Sequence, residues 1–287
     1  MIEQAGQTAE QAAQAIATAT PHAGAAAHAA AGAAIFHHIL DSPRIDLEPF
    51  GHITLPTLHI GPFDLPITRV VVMMWLASAI ILVALWLANR RRSIAPTGIH
   101  NVMEAMVQFV RDELARKNIG HHGDQYVSYL LTTFFFILMC NLLGVLPYMA
   151  TATGNISVTA GLAGISFFMI QLAGIREYGL VKHFRNLVPH GMPLWLLPIM
   201  IPVEILGMFT KPFALCVRLF ANMTAGHVVI LSLFSLVFIL KSALVGVVLS
   251  VPFALFINGI ELLVIFLQAY IFTMLTSLFI GMSVHPH

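Results

Sequence analysis

Five side chains that hold charge or can exchange a proton fall inside apolar runs of this chain. Glu204, Lys211, Arg218 and His227 lie in residues 194–240, and Glu261 in residues 246–282. A charge near the centre of a bilayer costs roughly 2.5–3.5 kcal/mol, so such residues are functional candidates by default. Glu204, Lys211 and Arg218 recur at every seventh position, which stacks them along one face of a helix. Arg stays charged under all conditions and cannot relay a proton, but it can attract a carboxylate and keep it ionised. His227 and Glu261 can change protonation near neutral pH when desolvated, as a proton relay requires.

Their placement along the helix suggests two paths. Glu204 lies about 21 Å from Arg218 toward the inside, and His227 about 13 Å toward the outside. A fixed cation with titratable groups on either side implies two ion paths kept apart by positive charge. If two antiparallel helices turn at about residue 244, residues at one level have numbers adding to about 488; His227 and Glu261 add to 488, Arg218 and Gln268 to 486. The chain offers no carboxylate level with Arg218, so a partner subunit is implied. The bland alternative is a buried pair, Arg218 with Glu261 or Glu204, that only fixes helix register. A seven-spaced row combined with two level polar pairs weighs against it. Lys211, beside Pro212, can simply snorkel to the headgroups. Asn141 and Asn222 can equally be satisfied by hydrogen bonds between helices.

The elements that must position these groups are membrane helices. The 287 residues are 58% hydrophobic with a mean hydropathy of +0.86, and only 9% are charged, against about 25% in soluble domains. The net charge of +1 says nothing about nucleic acid, but no basic tract of the kind that binds it is present, so no nucleic-acid partner is expected. Cys140 and Cys216 sit in separate apolar runs and read as buried free thiols. The expected fold is an all-α polytopic membrane protein with about five membrane helices. The last two are long, tilted and antiparallel, and a cytoplasmic interfacial helix is added.

Residues 1–43 are Ala-rich, without Lys or Arg, and read as an exported tail. Their four histidines match no metal-ligand spacing. Residues 44–67, punctuated by Pro, read as an outer loop. The membrane domain covers 68–287, with spans at about 68–89, 126–147, 156–175, 194–240 and 246–283. Residues 100–117 are too charged to span and read as the interfacial helix. This threading puts nine Lys and Arg residues inside against three outside (Arg44, Arg69 and Lys241), which places the N-terminus outside and the C-terminus inside. As one helix, residues 194–240 would be about 70 Å long, over twice the ~30 Å hydrocarbon thickness, so the expected form is one long, tilted helix broken near Pro198, Pro202 or Pro212.

The stretch from Leu215 through Arg218-Leu-Phe-Ala-Asn-Met to His227, preceded by Lys211-Pro212, resembles subunit a of the rotary F-type ATP synthase. So do Leu267-Gln-Ala-Tyr-Ile-Phe272 and Asn141-Leu-Leu-Gly-Val-Leu-Pro147. The resemblance covers roughly residues 100–285. It implies that Arg218 faces the ion-binding carboxylates of a ring of c subunits and stops ions leaking between two half-channels. It assigns Asn222, His227, Glu261 and Gln268 to the outer half-channel and Glu204 to the inner one. It implies as partners the c-ring, b-type peripheral-stalk subunits, the rest of the synthase and the lipid bilayer. The expected location is a bacterial inner membrane. In some members the histidine and the acid occupy exchanged positions, and some carry acids after the second span where this chain has Gly144.

Rival functions fit less well. A self-contained ion transporter would want internal repeats with matching broken helices, and none is visible. No His-Glu-x-x-His, nucleophile elbow or phosphate loop appears, so nucleotide chemistry lies on other subunits and no cofactor or metal is expected. A purely structural anchor leaves the intramembrane charges unexplained. The His–Glu pair favours protons as the transported ion, with sodium as the alternative.

Overall fold

The computed structural model describes residues 44–47, 51–54, 57–60, 63–90, 98–146, 151–185, 197–239 and 243–285. The Ala-rich tail lies outside them. Clustering of the chain gives two units. One contains residues 227–257, and the other contains residues 41–226 and 258–287.

In the larger unit, residues 44–66 were expected as a loop but contain two short hairpins. β1 (Arg44–Leu47) pairs antiparallel with β2 (Gly51–Thr54), and β3 (Thr57–Ile60) with β4 (Phe63–Pro66). The prolines that suggested a loop fall between or at the ends of strands, where no ladder hydrogen bond is lost. Beyond these hairpins the fold is helical. The helices are α1 (Arg69–Arg90), α2 (Ile99–Phe109), α3 (Val127–Val145), α4 (Ile156–Tyr178), α5 (Leu180–Arg185), α6 (Leu197–Ile239) and α7 (Ala243–Val284). α2 continues through a π-helical segment (Val110–Arg116) to Ile119 and then a 3-10 turn (Gly120–Gln125).

Among the described residues, five helices are long and apolar enough to cross a membrane: Arg69–Ala88, Val127–Val145, Ile156–Tyr178, Pro198–Ile230 and Pro252–Val284. They match the five expected spans, and the chain is a multi-pass membrane protein. Their outward surfaces carry large apolar side chains such as Trp75, Leu82, Phe168 and Leu255. Such a surface suits lipid, which is as apolar as the side chains themselves. α6 does not break. It runs on through Pro202 and Pro212, and α7 runs on through Pro252. A full break in hydrocarbon would strand several backbone groups, whereas a proline within the helix forfeits one hydrogen bond. The two 33-residue spans are each about 50 Å long. To fit ~30 Å of hydrocarbon they must tilt by about 50°.

The core of the larger unit joins the helices that hold the row of charges. Val110, Leu114 and Ile119 pack with Leu130, Phe134 and Ile137 of α3, with Leu215 and Leu219 of α6, and with Ala269, Phe272 and Ile280 of α7. Polar contacts pin the C-terminal end of α7. Asn118 Nδ2 donates to Ser277 Oγ at 2.8 Å, the Tyr178 hydroxyl to the Val284 carbonyl at 2.7 Å, and Ser283 Oγ to the Ile170 carbonyl at 3.0 Å. Only glycine fits at two points of this crossing. A Cβ at Gly281 would collide with the Asn118 carbonyl, and one at Gly174 with His183 and Ser283. The end of α7, the end of α4 and the interfacial segment thus share one end of the unit.

Candidate functional site

The site is built on the facing parts of α6 and α7 within the larger unit. Two side-chain approaches fix their register. A Cβ at Gly226 would lie 3.1 Å from Glu261 Oε1, and Lys211 Nζ stands 5.3 Å from the centre of the Phe279 ring. Going from Gly226 back to Lys211 on α6 moves forward from Glu261 to Phe279 on α7, so the helices are antiparallel. Both pairs have numbers adding to within a few of 488, as the turn arithmetic predicts. His227, Glu261's predicted neighbour, has its side chain outside the described residues.

The row of charges does lie along α6, in graded exposure. Glu204 and Lys211 are half-buried and Arg218 is exposed. Among the described residues, none of the three has an ion-pair partner in the chain. Arg218 sits four residues from the middle of the span Pro198–Ile230, where an unpaired cation against lipid is most costly. Around it the same face carries Ala214, Ala221 and Ala225, all exposed, with Asn222 beside them. Small side chains there allow a partner backbone close to Arg218. The opposite face, with Leu215, Leu219 and Met223, is buried.

α7 behaves in the contrary way. Glu261 is 6% exposed and Gln268 is 2% exposed. Gln268 is level with Arg218 but is not hydrogen-bonded to it. One points into the packed interior while the other points out. Among the described residues, no cation forms an ion pair with the Glu261 carboxyl, which lies against Gly226. Below Arg218, an open groove of about 400 Å³ is lined by Gly207, Thr210, Lys211, Ala214, Leu215, Arg218, Leu275 and Phe279. It connects the two cations of the row along the surface of the unit.

Asn141 does not join this constellation. It is fully buried on α3, its Oδ1 accepts from Thr153 Oγ1, and its Nδ2 has no hydrogen-bond partner. Cys140 and Cys216 are free and buried, as their apolar surroundings suggested. The structure adds two residues that sequence reasoning missed, Gly226 and Phe279. A glycine directly before His227 in an otherwise bulky run was the one available signal for the first. An aromatic residue among many in α7 gave none for the second.

At the end of the unit where α7 is pinned, the surface is charged. Arg116 donates to both Asp124 oxygens, at 3.0 and 3.1 Å, and to Asp112 at 3.2 Å. This hydrogen bonding by Arg116 holds the Asp124 carboxyl below the usual carboxylate range. His183, tucked against Gly174 with Gln171 Oε1 at 2.9 Å, is held below the usual histidine range by burial. These groups anchor the ends of the helices, away from the row on α6.

Residues 71–281 match the family described as ATP synthase A chain. The chain is 54% identical over 273 residues to ATP synthase subunit a 2 of Prosthecochloris aestuarii, covering 91% of this chain and 84% of that one. It is 49% identical over 294 aligned positions to ATP synthase subunit a of Pelodictyon phaeoclathratiforme, covering 99% and 86%. Against ATP synthase subunit a of Chloroherpeton thalassium the identity is 52% over 254 residues, covering 86% and 75%. These matches over most of its length make the chain a member of the ATP synthase A chain family, the subunit a family of the F-type ATP synthase.

Proposed function

We propose that this chain is the proton-conducting stator subunit of an F-type ATP synthase, with two offset half-channels that load and unload carboxylates on a rotating ring of c subunits. The observation that carries this reading is Arg218: exposed, near mid-span, without an ion-pair partner among the described residues and flanked by Ala214, Ala221 and Ala225. An always-charged group facing outward at that depth needs an anion brought by a partner. A ring carboxylate passing Arg218 stays ionised, so it cannot carry a proton straight from one path to the other. It must take a proton on one side and give it up on the other after nearly a full turn.

Each polar residue then has a role. Glu261, buried against Gly226, acts with His227, Asn222 and Gln268 along the outer path, and Glu204 serves the inner one. The relay between His227 and Glu261 favours protons over sodium. The strong tilt that the two 33-residue spans require lays this surface along the ring and offsets the two openings sideways. The ion moves here while nucleotide catalysis lies on other subunits. The peripheral stalk holds the chain still through b-type subunits. The membrane is a bacterial inner membrane, with the N-terminus outside and the C-terminus inside.

Crosslinking tests the arrangement. With Cys140 and Cys216 replaced, a cysteine at Ala221 is expected to form a disulfide with a cysteine on a small ring subunit in the assembled complex. The same residue at buried Leu219 is expected not to. Equal yields at both positions, or none at Ala221, would contradict the ring-facing assignment. Pumping measured with and without sodium separates the two ions.

A further inference from the structure

The groove below Arg218 holds a second cation that the half-channel scheme leaves unused. Lys211 has no ion-pair partner among the described residues, and its ammonium lies over the Phe279 ring at 5.3 Å. A Lys that merely escapes to the headgroups has no need of such a seat, whereas an aromatic face holds a cation in place by its negative centre. Lys211 and Arg218 line the same open groove. They are about 10 Å apart along the helix axis. On a helix tilted by about 50°, that separation resolves into roughly 6 Å of depth and 8 Å sideways, so Lys211 stands beside Arg218 as well as below it.

We propose that Lys211, seated on Phe279, is a second positioning cation that keeps the ring carboxylate ionised as it meets the inner water path. This rests on the half-channel reading above. The step is ordinary acid dissociation. The carboxyl O–H breaks, the proton passes to inner water and the carboxylate keeps the electron pair beside the ammonium. In the reverse direction the carboxylate takes a proton from inner water. The other charged groups on this face of α6 are Glu204 and Arg218. α7 contributes Leu275 and Phe279, with no titratable side chain. α4, which reaches α6 through the stacked Phe167 and Phe209 rings at 5.4 Å, keeps Arg176, Glu177 and Tyr178 in its last turn.

The test is the dependence of ATP synthesis on inner pH, measured on the whole complex in vesicles whose inner face is accessible. A unit charge about 10 Å away in a partly wet site is worth on the order of one pH unit, tenfold in proton concentration. Losing the cation makes the carboxylate hold its proton more tightly. Lys211→Gln is therefore expected to move the half-maximal inner pH upward by about that amount. Lys211→Arg should leave it in place, and Phe279→Leu should move it part of the way. An unmoved profile in Lys211→Gln, or an equal shift in Lys211→Arg, overturns the proposal. If Lys211→Gln does not assemble, Phe279→Leu decides: a partial shift upholds the proposal and none overturns it. Arg218→Ala is the control arm. Normal synthesis there defeats the half-channel reading itself, while lost synthesis with an unmoved Lys211→Gln profile defeats only the role of Lys211.

Discussion

A single methyl group at Gly226 probes the outer path directly. A Cβ built at Gly226 would lie 3.1 Å from Glu261 Oε1, 3.6 Å from Cδ and 3.9 Å from Cγ. The first distance is tighter than ordinary carbon–oxygen contact, so the carboxyl must retreat by a few tenths of an ångström. The end of a glutamate can do that, and Gly226→Ala is expected to slow proton uptake only a few-fold. Gly226→Val adds two further methyl groups on the same side and forces a larger shift. Overpacking of this kind typically costs 1–3 kcal/mol, which as a barrier corresponds to roughly 5- to 150-fold in rate. Glu261→Asp shortens the side chain by one methylene and draws the carboxyl away from the added bulk. The double variant Gly226→Val with Glu261→Asp should therefore conduct better than Gly226→Val alone, the non-additivity expected of residues in contact. ATP-driven acidification of inverted vesicles, normalised to assembled complex, reads all of these. Wild-type rates in Gly226→Val, or purely additive losses in the double variant, would refute the contact and the register built on it.

Other outcomes follow from the same geometry. Glu204→Gln should slow transport through the inner path without opening a leak, seen as reduced pumping with unchanged passive conductance. Exchanging His227 and Glu261, as His227→Glu with Glu261→His, should restore activity above either single variant if the two act as one proton-holding unit. The Arg116–Asp124 cluster lowers the carboxyl's range in the folded state. Its contribution is therefore complete above the ordinary carboxylate pKa of about 3.9 and fades only below it. Between pH 5 and 8, the loss on Asp124→Asn should thus be independent of pH, and small and salt-dependent as is typical of exposed pairs, read as melting of the complex at several pH values.

The sequence made the membrane fold legible because apolar runs of the right length have few alternatives in lipid. The row Glu204–Lys211–Arg218 was legible because a helix converts seven-residue spacing into a face. Antiparallel register was legible from arithmetic, since both helices rise equally per residue. Sequence could not tell which way Gln268 points, because level position says nothing of rotation about the helix axis. The continuity of α6 through Pro202 and Pro212 was also hidden. A proline ends most helices in water, but hydrocarbon penalises a break more heavily. Residues 44–66 misled for a related reason: their prolines bound the strands of two hairpins, whereas proline clusters ordinarily signal a loop. The seat of Lys211 on Phe279 depends on which of many aromatic side chains the packing brings near, and only coordinates supply that.

The central claim is that Arg218 separates two proton paths, and its replacement by alanine tests this most directly. In vesicles carrying the assembled complex, Arg218→Ala should abolish ATP synthesis while passive proton conductance through the membrane sector persists or rises. Arg218→Lys should also fail, because an ammonium lacks the planar fork and loses its proton more readily when desolvated. ATP synthesis at the normal rate in Arg218→Ala would contradict the account.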